Sequence, residues 1–522
     1  MRVALRRNAT RQRVSIGSDI PAPVKGIDAI SPLESMKPEF AIQLDNLFCQ
    51  PGYLELRPPH VAHCDLGQES TPVESLMAYH GASSNALFAA AGTSIHDVTT
   101  ATPSEDVTNL ANARWQHLNF ATSGGHFLLA YNGADTPLTY DGSTWGTATI
   151  SGSVTGSDIV GATAHKSRLW FVEAGTSDAH YLPVDSIQGT AAAFPLGGLF
   201  TKGGILQAIG SWSYDGGAGP DDLLAFVSSR GQVAVYAGVD PTDSTDFGVV
   251  GVFDTAPPIG RRCLVKVGAD LALVTIDGIL PLSRALATDR AANLRIALTQ
   301  RIQPLIAELA KTHSGLFGWQ LIGYPRKTMA VFTIPTAENA TAVQYVMNTI
   351  TGAWSKFTGW DANCFEIFED RCLFGGNDGK VYEVDVEGSA AIGSITVDMR
   401  TAFNYLDKRH RGQIKDFKAI RALPGRESRL VPRFAVNVDF RDDAALASAA
   451  TPQSTQALWD QAEWDVALWP KEGLVQARWM TVHGQGDCAS VRMSFDVDAT
   501  IHPTPFRVSS FGIVYEPGAI MT

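Results

Sequence analysis

The chain has 522 residues, of which 45% are hydrophobic and 18% charged, with a formal charge of −12 and six cysteines. That hydrophobic content excludes a disordered chain, and the negative balance argues against non-specific affinity for nucleic acid. The length asks for two or three domains, and the small share of charged residues suggests that much of the surface faces other protein.

The first thirteen residues carry Arg2, Arg6, Arg7, Arg11 and Arg13, with no acid before Asp19. Such a basic arm is either solvated or docked on an acidic neighbour. No apolar segment follows Arg6-Arg7, so no export signal is expected, and no run of about 18 apolar residues predicts a membrane span. Synthesis in a cytoplasm is expected. Residues 45–60, DNLFCQPGYLELRPPH, then crowd a cysteine, prolines and charges together. Cys49 lies between Phe48 and Gln50 with no local cation, which speaks against a nucleophile. Pro51-Gly52 should turn the chain and Pro58-Pro59 should hold it extended, with Arg57 as a positional anchor on a carboxylate or carbonyl. His60 and His63 stand three apart, a spacing open to a shared metal. The cysteines form no CxxC pair and read as isolated buried thiols.

From about residue 74 to 388 one theme repeats. A short apolar run ends in a glycine turn and a second run follows. Examples are NALFAAAG ending at Gly92, HFLLAYNG at Gly133, SRLWFVEAG at Gly175, DLLAFVSSRG at Gly231, DLALVTIDG at Gly278 and RCLFGGNDG at Gly379. Successive glycines stand 41, 42, 56, 47 and 101 residues apart. The last interval holds two units, the extra one in KTMAVFTIPTAENATAVQYVMNTITGAW, where a loop replaces the turn. Seven units of this length suit four-stranded propeller blades. In DLALVTID both alternating faces are apolar, as a strand between two covering sheets requires. TYDGSTW and MNTITGAW share an Asp or Asn turn, a glycine and then Trp145 or Trp354, each placed to cover a blade edge.

One amphipathic helix is expected over 288–311, capped by Thr288 or Asp289 and kinked or divided at Pro304. It either lies over the propeller side or packs on another subunit. After Gly388 the periodicity changes to strands of a separate β domain. Within it LWDQAEWDVALW sets Trp459, Trp464 and Trp469 five apart, a spacing that fits a looped segment whose tryptophans fill a groove in the domain or in a partner.

The expected fold is therefore all-β. It comprises a β-propeller of about seven blades (six to eight), one inserted amphipathic helix and a C-terminal β-sandwich-like domain. Residues 1–72 form an extended arm and strand closing or bracing the propeller, 73–388 the propeller, and 389–522 the C-terminal domain. The sequence holds no GxSxG, P-loop, HExxH or dinucleotide-binding fingerprint. DGGAGPDD at 215–222 lacks the alternation of a calcium loop, and TYDGSTW falls one residue short of the Asp-box turn of propeller glycosidases. No enzyme activity, cofactor or metal is expected.

Several long blocks, in order, resemble one family. LDNLFCQPGYLELRPPH looks like the opening segment of phage tail proteins, and TPVESLMAYHGASSNALFAAAGTSIHDVT and ARWQHLNFATSGGHFLLAYNGADTPLTYDGSTW look like their first two blades. VAVYAGVDPTDSTDFGVVGVFDTAPPIGRRCLVKVGADLALVTIDGILPLSRAL and the tryptophan repeat WDQAEWDVALW complete the match. The family is the tail nozzle, or tail tubular protein B-like, family of short-tailed phages. The resemblance implies a virion protein assembled in the bacterial cytoplasm as a six-fold homo-oligomeric ring. Such a ring would extend the DNA channel below the adaptor (head-to-tail connector), pass the genome, and offer docking surface to tail fibres or spikes. Arg57, Trp145, Trp354, Trp459, Trp464 and Trp469 are then structural or interface residues. The rival readings are a propeller that binds host-surface glycan and a propeller glycosidase.

Overall fold

The computed structural model describes residues 14–215, 220–268, 270–386, 394–407, 411–424, 432–442, 446, 479–497 and 506–520. The chain divides into two compact units, Pro58–Ile392 and Met1–Arg57 together with Gly393–Thr522. Both are mostly β.

The Pro58–Ile392 unit consists of small, mainly antiparallel sheets, taken here in chain order. The first is Val73–His80, Asn85–Ala91, Ser94–Asp97 and Ser104–Val107; the second is Gln116–Thr122, Gly125–Tyr131, Leu138–Tyr140 and Trp145–Thr147. The third is Ile159–His165, Arg168–Glu173, Ala179–Tyr181 and Gly189–Phe194, with Ile150–Gly152 added in parallel to its last strand. The fourth runs Leu206–Asp215, Pro220–Ser228, Gln232–Ala237 and Gly248–Asp254, and the fifth has three strands, Leu264–Val267, Asp270–Thr275 and Gly278–Pro281. The sixth pairs Gln320–Tyr324, Met329–Pro335, Ala342–Asn348 and Trp354–Phe357. The seventh pairs Ala362–Phe368, Arg371–Gly376 and Lys380–Val384, and its outer strand is His60–Asp65, drawn from the other end of the unit.

Each repeated unit of the sequence corresponds to one of these sheets. Five of the six marker glycines lie between second and third strands and Gly278 opens its third strand, all with positive φ, from +56° at Gly92 to +118° at Gly278. In the sixth sheet the same turn is the loop 336–341, where Thr336 and Thr341 hydroxyls bond at 2.7 Å. Doubly apolar strands are explained by the packing. In Gly125–Tyr131, Leu128 and Ala130 face the first sheet, while Leu129 and Tyr131 face the third. In Arg168–Glu173, Leu169 and Phe171 face the second sheet, and Trp170 and Val172 the fourth. The seventh sheet packs on the first through Cys364, Phe368, Leu373 and Val381 against Val73, Leu87 and Ala89. Alternate residues thus bury on opposite sides, as the period of two demands.

The expected single helix is corrected. The segment breaks into Leu282–Ala285, Arg290–Ile296, a 3₁₀ turn at Gln300–Ile302 and Gln303–His313. Pro304 stands in the first turn of the last piece, where its missing N–H costs nothing. Asp289 occupies the cap position without a side-chain cap bond, while the Thr288 hydroxyl bonds Asn293 Oδ1 at 2.6 Å. Leu294, within that helical segment, is exposed. Ile306 and Ala310 are the buried face of the longest piece. The indole N–H groups of Trp354 and Trp319 donate to the carbonyls of Leu298 (2.8 Å) and His313 (2.9 Å), fixing the segment to the sixth sheet.

The second unit takes strands from both ends of the sequence. Ile16–Pro21 pairs with Arg507–Ile520, which pairs with Gln413–Pro424 and, through Val508, with the Tyr53–Leu56 strand. Ala41–Asp45 pairs with Ile395–Thr401, then Ala489–Val497, then Arg433–Val438. Phe434 against Phe511 (6.4 Å) and Phe495 against Phe506 (4.6 Å) join these layers. The segment 45–60 therefore splits: its first part is the Leu47–Gln50/Tyr53–Leu56 hairpin of this unit, turned at Gly52 (φ +91°). Its last residue, His60, begins the outer strand of the seventh sheet.

Candidate functional site in the seven-sheet unit

The first strands of all seven sheets contribute to one cavity of about 300 Å³. Leu76, Gln116, Gly161, Gln207, Val265, Leu321 and Phe365 each come from a different first strand. Close approach is helped by Gly210, where a Cβ would stand 2.6 Å from Leu271 of the fifth sheet.

Charge in the lining is uneven. Arg261, Arg262 and Lys266 are cationic, Glu366 is the carboxylate, and His117 the imidazole. Arg262 Nη2 donates to the Glu74 carbonyl (3.2 Å), Ser75 Oγ (3.0 Å) and the Trp115 carbonyl (3.3 Å), and its guanidinium lies 4.8 Å from the Phe317 ring. Its Nη1 is buried and has no hydrogen-bond partner among the described residues. Arg114 stacks on the same Phe317 ring and pairs with Glu74 (3.0 Å) and Glu338 (2.6 Å). Arg261 Nη1 donates to the Asn132 carbonyl at 3.2 Å.

His117 Nε2 and Glu366 Oε2 stand 3.5 Å apart. That is long for a charge-assisted bond, which closes to about 2.7–2.9 Å. Desolvation decides the protonation. Burial pushes the Glu366 carboxyl up to about 7, against the opposing pull of the Ile367 N–H and Arg262. Burial, helped by Arg262 and His80, holds the His117 imidazole down at about 4. Between those values the pair is a neutral acid beside a neutral base. Cys364, in the same lining, is pushed up to about 12 by burial and stays a thiol.

The residues named from sequence lie elsewhere. Arg57 is buried, donates from Nε to Asn46 Oδ1 at 2.9 Å, and is pushed down to about 9 by desolvation. One anchoring oxygen is thus the side-chain carbonyl of an amide. Trp145 sits 4.8 Å from Phe88 of the first sheet, edge to face, and covers that sheet from the second. Trp354 is buried beneath the helical segment. Trp459, Trp464 and Trp469 lie outside the described residues, as do residues 216–219 of the 215–222 segment. Cys49 is buried and its thiol is raised by desolvation, opposite to what a nucleophile needs. His60 packs on Phe374 and Tyr382, whereas His63 Nε2 bonds the Val98 carbonyl (2.8 Å), so the two do not converge. Among the described residues no group of three His, Cys, Asp or Glu side chains is placed to hold a metal, and no helix is long and apolar enough to cross a membrane. The cavity residues His117, Arg261, Arg262, Lys266 and Glu366 were not singled out from sequence. The one local signal was Arg261-Arg262, two adjacent cations ahead of an apolar strand.

The Pro58–Ile392 unit is a propeller-like assembly of small sheets. No protein-family model and no curated protein matches the sequence. Similar solved structures include BBS1N in complex with ARL6DN, at 10% identity and a TM-score of 0.39, covering 65% of this chain and 99% of that one. YCF48 bound to D1 peptide aligns at 10% identity and 0.36, covering 69% and 100%. Saccharomyces cerevisiae Sqt1 aligns at 11% identity and 0.37, covering 63% and 99%.

Proposed function

We propose that this chain is a structural component of a short-tailed phage tail, a nozzle subunit in which the seven sheets are seven propeller blades and the second unit a β-sandwich-like domain. The observation that carries the reading is the match between sequence blocks and sheets. TPVESLMAYHGASSNALFAAAGTSIHDVT spans the first three strands of the first sheet, ARWQHLNFATSGGHFLLAYNGADTPLTYDGSTW runs into the last strand of the second, and the VAVYAG…SRAL block runs from the fourth through the fifth. Each block of the resemblance thus covers consecutive strands of one sheet or of two sheets adjacent in the chain.

Six copies carry a formal charge of −72, six times −12. A conduit lined by acidic and small polar side chains does not hold the DNA backbone, so the genome slides, whereas a lumen of Lys and Arg would trap it through counterion release. Cryo-electron microscopy of the particle containing this chain tests the proposal. The expected image has six copies around the tail axis, below the adaptor, with an acidic or small-polar lumen. A chain located off the axis, or a lumen studded with Lys and Arg, overturns it.

A further inference from the structure

We propose that the seven-sheet cavity is a binding site for a small oxyanion ligand, one bearing a sulfate, phosphate or carboxylate group, recognised by Arg261, Arg262 and Lys266. Three observations converge. In a chain of net charge −12, this lining gathers three cations against one carboxylate. Arg262 is already oriented: three acceptors fix Nη2 and the Phe317 ring covers the guanidinium, while the buried Nη1 keeps its donor without a partner among the described residues. The volume, about 300 Å³, lies at the small end of ligand sites and suits a compact ion better than a polymer.

The lone carboxylate sets a pH dependence. Glu366 is faced by His117 from the second sheet, by Arg262, and by the protonated thiols of Cys364 and Cys372. Its carboxyl titrates near 7. Below that pH it leaves the three cations unopposed, and above it opposes the anion. The inference does not depend on the nozzle reading, since a chain that forms no ring would still bind.

Isothermal titration of the full chain with sodium sulfate, inorganic phosphate and malonate, with glycerol as the uncharged control, tests it. Sulfate is the primary probe because its charge is constant from pH 6 to 8. The expected result is one anion site per chain, no heat from glycerol, and several-fold weaker sulfate binding at pH 8 than at pH 6. Lys266→Gln should weaken sulfate at least threefold. Glu366→Gln should remove most of the pH dependence while the thermal melt shows a folded protein. A preference for malonate assigns a carboxylate ligand, and a preference for sulfate or phosphate a sulfo- or phospho-ligand. Absence of binding by all three anions at millimolar concentration overturns the proposal, as does binding that neither substitution alters.

Discussion

Gly231 and Gly175 share a left-handed backbone, φ +79° at each, yet they differ in what surrounds them. A Cβ on Gly231 would stand 2.5 Å from the Thr255 carbonyl oxygen, whereas one on Gly175 meets nothing within 4 Å. Gly175→Ala should therefore cost only the left-handed penalty, about 1–2 kcal/mol. Gly231→Ala should cost more, about 3 kcal/mol or above, because backbone must also move. Urea denaturation of the two variants checks the order. His117 and Glu366 give a second prediction at this scale. Glu366 has a raised pKa when folded, so its stabilisation is present below about 4.5 and lost as pH rises through about 7. His117 has a depressed one, so its stabilisation is present above about 6.5 and lost as pH falls through about 4. Across pH 4.5–6.5 the two offset, since folding passes a proton from imidazole to carboxyl. Glu366→Gln should expose a stability that rises with pH over this window, and His117→Gln one that falls, each with a slope approaching about 1.4 kcal/mol per pH unit. Equal slopes in the two variants would refute the assignment. The glycines were legible in sequence because their requirement is local, a backbone angle. The proton exchange was not, because it depends on which strands meet across the cavity.

At the scale of elements, the outer strand His60–Asp65 completes the seventh sheet by pairing with Lys380–Val384. Successive residues of an outer strand turn their N–H groups alternately toward the neighbour and toward solvent. One of Val61→Pro and Ala62→Pro must therefore remove a ladder bond, and that variant should lose about 1–3 kcal/mol while the other loses less. Hydrogen exchange at residues 380–384 would show which, through faster exchange in the damaged ladder. The sequence announced the strands of the seven sheets through glycine spacing and doubly apolar runs. It misread 288–311 because leucines at helical spacing give the same pattern for one helix as for several short pieces. The breaks at Ala297–Thr299 arise from tertiary bonds instead: Ile279 N–H donates to Thr299 Oγ1 at 3.1 Å, and Leu298 N–H to the Ile279 carbonyl at 2.9 Å. The tie between residues 16–21 and 510–515 was equally hidden, since no local pattern reports a partner at the opposite end of a chain.

At the scale of the whole molecule, the seven-sheet unit is inserted in sequence between the two parts of the other unit. The opening strand of that insertion, His60–Asp65, finds its partner only at Lys380–Val384. This has a consequence for biosynthesis. A ribosome that has not yet delivered residue 362 holds a chain whose seventh sheet lacks three of its four strands, and until Lys380–Val384 emerges the strand His60–Asp65 has no neighbour to pair with. The surrounding unit waits longer still, because Arg507–Ile520 must emerge before Ile16–Pro21 can pair. Maturation of both units thus waits on strands that are translated late in each, and nascent chains truncated before residue 380 should remain sensitive to protease where the finished protein is resistant.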